Sequence, residues 1–124
     1  MTSVRRFRRQ PESVPAARRF VRDVLRDQPR DVREAVELMA TELATNCVQH
    51  AKTSFELTIN HGQEQIRIEV SDTGPGHPVS RSPTPKERRG RGLRLVEAMS
   101  DSWGVDPSSR GKTVWFTVPQ RASA

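Results

Sequence analysis

The stretch ELATNCVQHA, from Glu42 to Ala51, spaces a carboxylate, a carboxamide and an imidazole at four-residue intervals within an otherwise apolar run. A helix advances about 100° per residue, so Glu42, Asn46 and His50 step only about 40° from one to the next and climb one flank. Against the apolar stripe of that helix, Glu42 and Asn46 fall at its border and His50 closer to its middle. A carboxylate and a carboxamide so placed suit a divalent cation and an attacking hydroxyl. An Asn oxygen is a hard donor for Mg²⁺, which keeps several waters and leans on substrate phosphates, and Glu42 can accept or orient a proton. The plainer reading of each border residue is a surface ion pair for Glu42 and a solvated amide for Asn46.

Two further stretches carry chemistry. VSDTGPG follows directly from an alternating apolar run. There Asp72 is an acceptor able to read an exocyclic amine, and Gly74 and Gly76 let backbone approach a flat ligand closely. Alone, a D-x-G-x-G is weak, because Asp and Gly are ordinary turn formers. RRGRGLRLV places Gly90 and Gly92 just before a helical pattern, where backbone N–H groups and the positive end of the helix dipole make a phosphate site. Arg81, Lys86, Arg88, Arg89, Arg91 and Arg94 surround it and oppose only Glu87. Competing glycine motifs fail. A dinucleotide fingerprint needs a third Gly at Val79 or Leu95. RGKT resembles the end of a phosphate loop, yet Asp106 stands where its first Gly belongs, and VWFTV continues as a strand.

The elements that must position these residues follow from periodicity. SVRRFRRQ can form a short edge strand. ESVPAARRFVRDVLRDQ predicts a helix with Ala17, Phe20, Val21, Val24 and Leu25 on one face and Pro15 in the tolerant first turn. After QPRD, Asp31 stands at an expected N-cap with Glu34 three residues on, a capping-box pattern. The second helix is expected to run to about Ala51, burying Val32, Val36, Met39, Leu43 and Cys47. The period then changes to two: SFELTIN and QIRIEV alternate across an NHGQ turn, a hairpin. The Gly- and Pro-rich segment from Ser71 to Gly92 is a long loop, a kind usually functional or disordered. Helical spacing returns at Leu93, Val96 and Met99, and DSWGVD with KTVWFTVP forms a second hairpin around PSSRG. This order predicts a two-layer α/β sandwich, with one mixed, mostly antiparallel sheet covered by helices on a single face.

Composition bounds the rest. The chain of 124 residues has room for one core, and 33% hydrophobic with 29% charged residues suits a globular protein with a solvated surface. No stretch reads as a membrane span or a secretory signal, so a cytoplasmic protein is expected. The lone Cys47 and three scattered His give no disulfide and no zinc spacing. Cys47 reads as a small buried packing residue. The formal charge of +6 sits at the front, where residues 1–33 hold ten Arg against Glu12, Asp23, Asp27 and Asp31. Few aromatics accompany these arginines and no nucleic-acid motif appears, so a solvated or partner-facing basic surface is the better expectation than nucleic acid.

Taken together and in order, ELATNCVQHA, DTGPG, RGRGL and GKTVWFTV resemble the N box, the two glycine boxes and the adenine-side strand of the GHKL ATP-binding superfamily. That group includes gyrase, heat-shock chaperone, mismatch-repair and histidine-kinase ATPases. GRGLRLVEAMSDSWGV looks most like the stand-alone actinobacterial type related to anti-sigma-factor serine kinases. The resemblance implies a Bergerat-type fold: a basic segment at 1–11, an ATPase domain over 12–118 with a long ATP lid, and a flexible tail at 119–124. It further implies that Asn46 coordinates Mg²⁺ on the triphosphate, that Glu42 is the general base, and that Asp72 receives the adenine amine above Gly74 and Gly76. Gly90, Gly92 and Leu93 would offer N–H groups to the phosphates. Thr113 would support the adenine contact, and lid arginines from His77 to Arg89, with Arg91 beside them, would face the γ-phosphate. His50 matches a common family histidine, either hydrogen-bonded and partly buried or touching phosphate. Cys47 stands where the family commonly has Ala.

The expected function is that of an ATP- and Mg²⁺-dependent protein serine/threonine kinase, an anti-sigma factor phosphorylating a Ser on an antagonist protein. The alternative is a non-catalytic, nucleotide-gated binding module. Expected partners are ATP, a sigma factor and an anti-anti-sigma antagonist, with no membrane, no direct nucleic acid and, as the family suggests, a homodimer.

Overall fold

The structure is a computed structural model and describes residues 1–72, 93–108 and 111–120. The chain runs β1 (Thr2–Phe7), α1 (Ser13–Val24), α2 (Arg30–Asn46), a π-helical turn (Cys47–Ala51), β2 (Phe55–His61) and β3 (Gln65–Asp72). A third helix, α3, follows at residues 93–99, and β4 (Ser102–Ser108) and β5 (Gly111–Pro119) close the chain.

The five strands form one sheet in the order β1-β2-β3-β5-β4, and every pairing is antiparallel. The sheet is thus wholly antiparallel where a mixed one was allowed. Alternation fixes its register. Phe55, Leu57 and Ile59 of β2, Ile66, Ile68 and Val70 of β3, and Val114, Phe116 and Val118 of β5 all turn to one buried face. Each such side chain is worth about 1.5–3 kcal/mol on leaving water, so a one-residue slip that exposed the set would be prohibitive. Opposite them lie Val32, Val36, Met39, Ala40, Leu43 and Cys47 of α2, Ala17 and Val21 of α1, and Leu93 and Val96 of α3. Phe7 anchors the edge strand, stacking on Phe55 with ring centroids 5.1 Å apart and meeting Phe20 edge-on at 6.2 Å.

The expected hairpins and helices are present, and three local details differ. The α1 face buries Ser13 with Ala17, Val21 and Leu25, while Phe20 and Val24 are only partly covered. Ser13 is tolerated there because its hydroxyl donates to the Arg8 carbonyl at 2.6 Å. α2 begins two residues early: Pro29 holds the cap position, Asp31 sits in the first turn accepting from the Val32 N–H at 2.9 Å, and Glu34 pairs with Arg30 at 2.9 Å instead of closing a capping box. α2 also stops being α-helical at Asn46. The π-helical turn that continues it ends at Lys52, whose left-handed backbone (φ 57°) sends its N–H to the Cys47 carbonyl.

α1 and α2 are clamped by Glu37, a buried carboxylate on α2. Arg18 and Arg22 of α1 reach its Oε1 at 3.0 and 3.3 Å, and Arg33 lies 3.8 Å from its Oε2. Burial alone would push this carboxyl up, but hydrogen bonds from Arg18 and Arg22 outweigh it and hold the group below the usual carboxylate range.

Candidate functional site

Three elements converge where α2 gives way to its π-helical turn. β3 ends in Asp72, β5 begins with Gly111 and Lys112, and Cys47 closes the buried stripe of α2. The Asp72 side chain is only 1% exposed, and Lys112 Nζ lies 3.6 Å from its Oδ2. Burial, with Asp72 adding to it and Lys112 opposing it, pushes the Cys47 thiol up to about 12. All three groups therefore share one low-dielectric corner, and the thiol there is a packing group, not a nucleophile.

Gly111 explains how so tight a corner is built. Its φ is 152°, and a Cβ placed on it would fall on Asp72 Oδ1 and come within 2.8 Å of the Asp72 carbonyl oxygen. Any side chain would displace the carboxylate, so the strand start must be glycine. Neither Asp72 oxygen has a hydrogen-bond partner among the described residues. Leaving a buried acceptor unmade costs about 1–3 kcal/mol, and more for a charged group. An orphaned carboxylate in a corner held open by a glycine fits a ligand that brings its own N–H donor, as an aminopurine does.

Glu42 and Asn46 lie half-buried on α2, one and two turns along from its middle, and Asn46 immediately precedes Cys47. The helix flank and the Asp72 corner are therefore neighbours through Cys47. His50 departs from expectation: it is exposed, not near the middle of the buried stripe. It belongs to the π-helical turn, whose i→i+5 bonding widens the coil and breaks the 100° step on which the stripe is projected. No group of three or more His, Cys, Asp or Glu among the described residues is arranged to hold a metal. Asn46 supplies a carboxamide oxygen, the kind of hard donor that Mg²⁺ accepts beside phosphate and water.

Thr113 is not brought to this corner. Successive residues of a strand face opposite sides. Thr113 pairs with Ser71, its hydroxyl 2.7 Å from the Ser71 hydroxyl, on the open face of the sheet. Lys112, one residue earlier, takes the covered face with Asp72. Leu93 is buried at the start of α3. Gly74, Gly76, Arg89, Gly90, Arg91 and Gly92, with the lid from His77 to Arg89, lie outside the described residues.

An antiparallel sheet covered by helices on one face, with a glycine-framed acidic corner against α2, makes an α/β sandwich that leaves a buried acceptor open to a ligand. The chain belongs to the histidine kinase-like ATPase domain family, whose model matches residues 7–118. Membership implies ATP binding. Among solved structures it is similar to the RsbU and RsbW domains of Rv1364c from Mycobacterium tuberculosis, with a TM-score of 0.75 and 15% identity. That likeness covers 99% of this chain and 34% of the other, so this chain spans about a third of the length of the solved chain it matches. No curated protein matches the chain. No helix among the described residues is long and apolar enough to cross a membrane.

Proposed function

We propose that this chain is an ATP- and Mg²⁺-dependent protein serine/threonine kinase of the regulatory, anti-sigma kind, acting on a Ser of an antagonist protein. The observation that carries the reading is the buried Asp72 carboxylate, unsatisfied among the described residues, beside the helix that bears Glu42 and Asn46. Asp72 accepts the adenine amine. Asn46 would hold the magnesium that travels with the triphosphate, and by the family resemblance Gly74, Gly76, Gly90 and Gly92 with Leu93 would serve base and phosphates. By the family resemblance Arg89 and Arg91 would serve the γ-phosphate, and His50, exposed beside Gln49, is free of the core to approach phosphate. When bound, Mg-ATP supplies an activated phosphoryl group. Glu42 orients the attacking hydroxyl and takes its proton, and the remaining groups stabilise charge, which is most of what phosphoryl transfer demands. The similarity to a chain containing an RsbW domain supports the regulatory reading.

The test combines calorimetry with single-turnover transfer from γ-labelled ATP to candidate antagonist proteins. Glu42→Gln is expected to leave the Kd for Mg-ATP unchanged and slow transfer roughly 10²- to 10⁴-fold. Equal transfer by both proteins would remove Glu42 from the chemistry. ATP binding without any phosphoprotein in the presence of a captured partner would replace the kinase with a nucleotide-gated binding module.

A further inference from the structure

The Asp72 corner contains a charged group that the roles above leave unused. Lys112 Nζ stands 3.6 Å from Asp72 Oδ2, too far for a good hydrogen bond and close enough to balance its charge. Its side chain is 34% exposed while that of Asp72 is 1% exposed, so the ammonium sits at the lip and the carboxylate at the floor. Strand alternation fixes this side: Val114, Phe116 and Val118, the same parity as Lys112, all turn to the covered face.

A carboxylate only accepts hydrogen bonds and an ammonium only donates them. Side by side, the two present an acceptor next to a donor. That is the complement of an amidine edge, an amino group beside an unprotonated ring nitrogen, which adenine offers at N6 and N1. Resting on the nucleotide reading above, we propose that Lys112 is a specificity-determining residue of the base pocket, donating to adenine N1 while Asp72 accepts from N6. In the ligand-free protein Lys112 is the counter-ion that makes a buried carboxylate tolerable. In the complex it turns one recognised atom into two, so that the edge of the base is read and not the amine alone.

The experiment is a two-by-two comparison of Kd by calorimetry. Wild type and Lys112→Met are each titrated with Mg-ATP and with Mg-1-deazaadenosine triphosphate, in which a C–H replaces N1. Wild type is expected to prefer ATP by about tenfold or more, the range for a hydrogen bond from a charged donor. Lys112→Met is expected to bind the two alike, with thermal melts confirming a folded protein. Lys112→Gln, which keeps a donor without the charge, restores part of the preference. Equal binding of both nucleotides by wild type overturns the proposal whether or not the variants fold. So does a preference that survives in Lys112→Met, or tighter ATP binding by that variant, which would make Lys112 a competitor for Asp72. If wild type binds neither nucleotide, the ATP reading itself fails, an outcome distinct from binding without preference.

Discussion

Glu37 on α2 and Asp72 at the end of β3 keep their side chains almost wholly out of water, at 4% and 1% exposure. Three arginines converge on Glu37, two of them with hydrogen bonds of 3.0 and 3.3 Å. Asp72 has one lysine at 3.6 Å and, among the described residues, no hydrogen bond. Burial is therefore not what distinguishes a working carboxylate here. Glu37 is satisfied within the fold and ties two helices together. Asp72 is left short of donors, and what the fold omits a ligand can bring. On the proposed reading the difference separates a residue that serves stability from one that serves recognition, and each variant below tests which side of that line its residue lies on.

The largest effect on the fold is expected from Glu37→Ala. It removes both hydrogen bonds and leaves Arg18, Arg22 and Arg33 facing one another, for a loss of about 3 kcal/mol in urea denaturation. Affinity for Mg-ATP, measured on the folded fraction, stays within about twofold, since hydrogen-bond changes remote from a site act additively. A loss of nucleotide binding with stability intact would reverse the assignment of Glu37.

Asp72→Asn reverses that pattern. The amide keeps one acceptor and loses the charge, so affinity for Mg-ATP should fall roughly tenfold to a hundredfold, the span of a charge-assisted hydrogen bond. Stability should not fall, because no intramolecular hydrogen bond among the described residues is broken. A variant that unfolds easily yet binds ATP as well as wild type would make Asp72 a structural group and empty the comparison.

Much of this contrast lies within reach of the sequence. The alternation of Phe55, Leu57 and Ile59 against Ile66, Ile68 and Val70 gives the central hairpin its faces, and the stripe from Val32 to Cys47 gives α2 its buried side. Asp72 can be singled out because it ends a strand just before a glycine pair. What escapes does so for definite reasons. A π-helical turn changes the angular step without changing which residue types are present, so nothing in VQHA announces that His50 leaves the stripe. Pro29 and Asp31 are both start signals for a helix, and only the backbone decides between them. The parity of β5 is readable: if Val114 and Phe116 face the core, so does Lys112, and Thr113 does not. Likeness to a family hydroxyl favours Thr113, whereas a residue-by-residue alternation count favours its neighbour. The Arg18–Arg22–Glu37 clamp spans two helices and has no local pattern at all.

The Glu37 clamp also has a signature under acid. Hydrogen bonds to the arginines hold the Glu37 carboxyl below its usual range, so its contribution to stability is complete above the ordinary glutamate value of 4.5 and is lost as pH falls through the lower folded value. The stability difference between wild type and Glu37→Gln, followed by urea denaturation from pH 7 downward, should shrink as pH falls below 4.5 and the carboxylate of the wild type takes up its proton. A difference that stays constant with pH would mean the clamp acts through packing and not through charge.

The smallest effect is expected on the open face of the sheet, where polar groups resemble Glu37 more than Asp72. Arg67 of β3 lies 4.2 Å above the Trp115 ring and pairs with Glu69 at 2.8 Å, while the ring packs so closely over Gly104 that a Cβ there would come within 2.8 Å of it. Ser71 with Thr113 and Ser102 with Thr117 complete the pattern, each hydroxyl pair 2.7 Å apart. Both members of the Arg67–Glu69 pair are about a third exposed, so solvent screens their attraction and the cation over the ring adds only about 0.5–1 kcal/mol. Arg67→Ala should therefore cost about 1 kcal/mol in urea, move Trp fluorescence toward a wetter environment, and leave the Kd for Mg-ATP unchanged. If that variant weakened nucleotide binding instead, the two faces of the sheet would be coupled, and alternation along β3 would no longer divide structural polar groups from the one proposed to read the base.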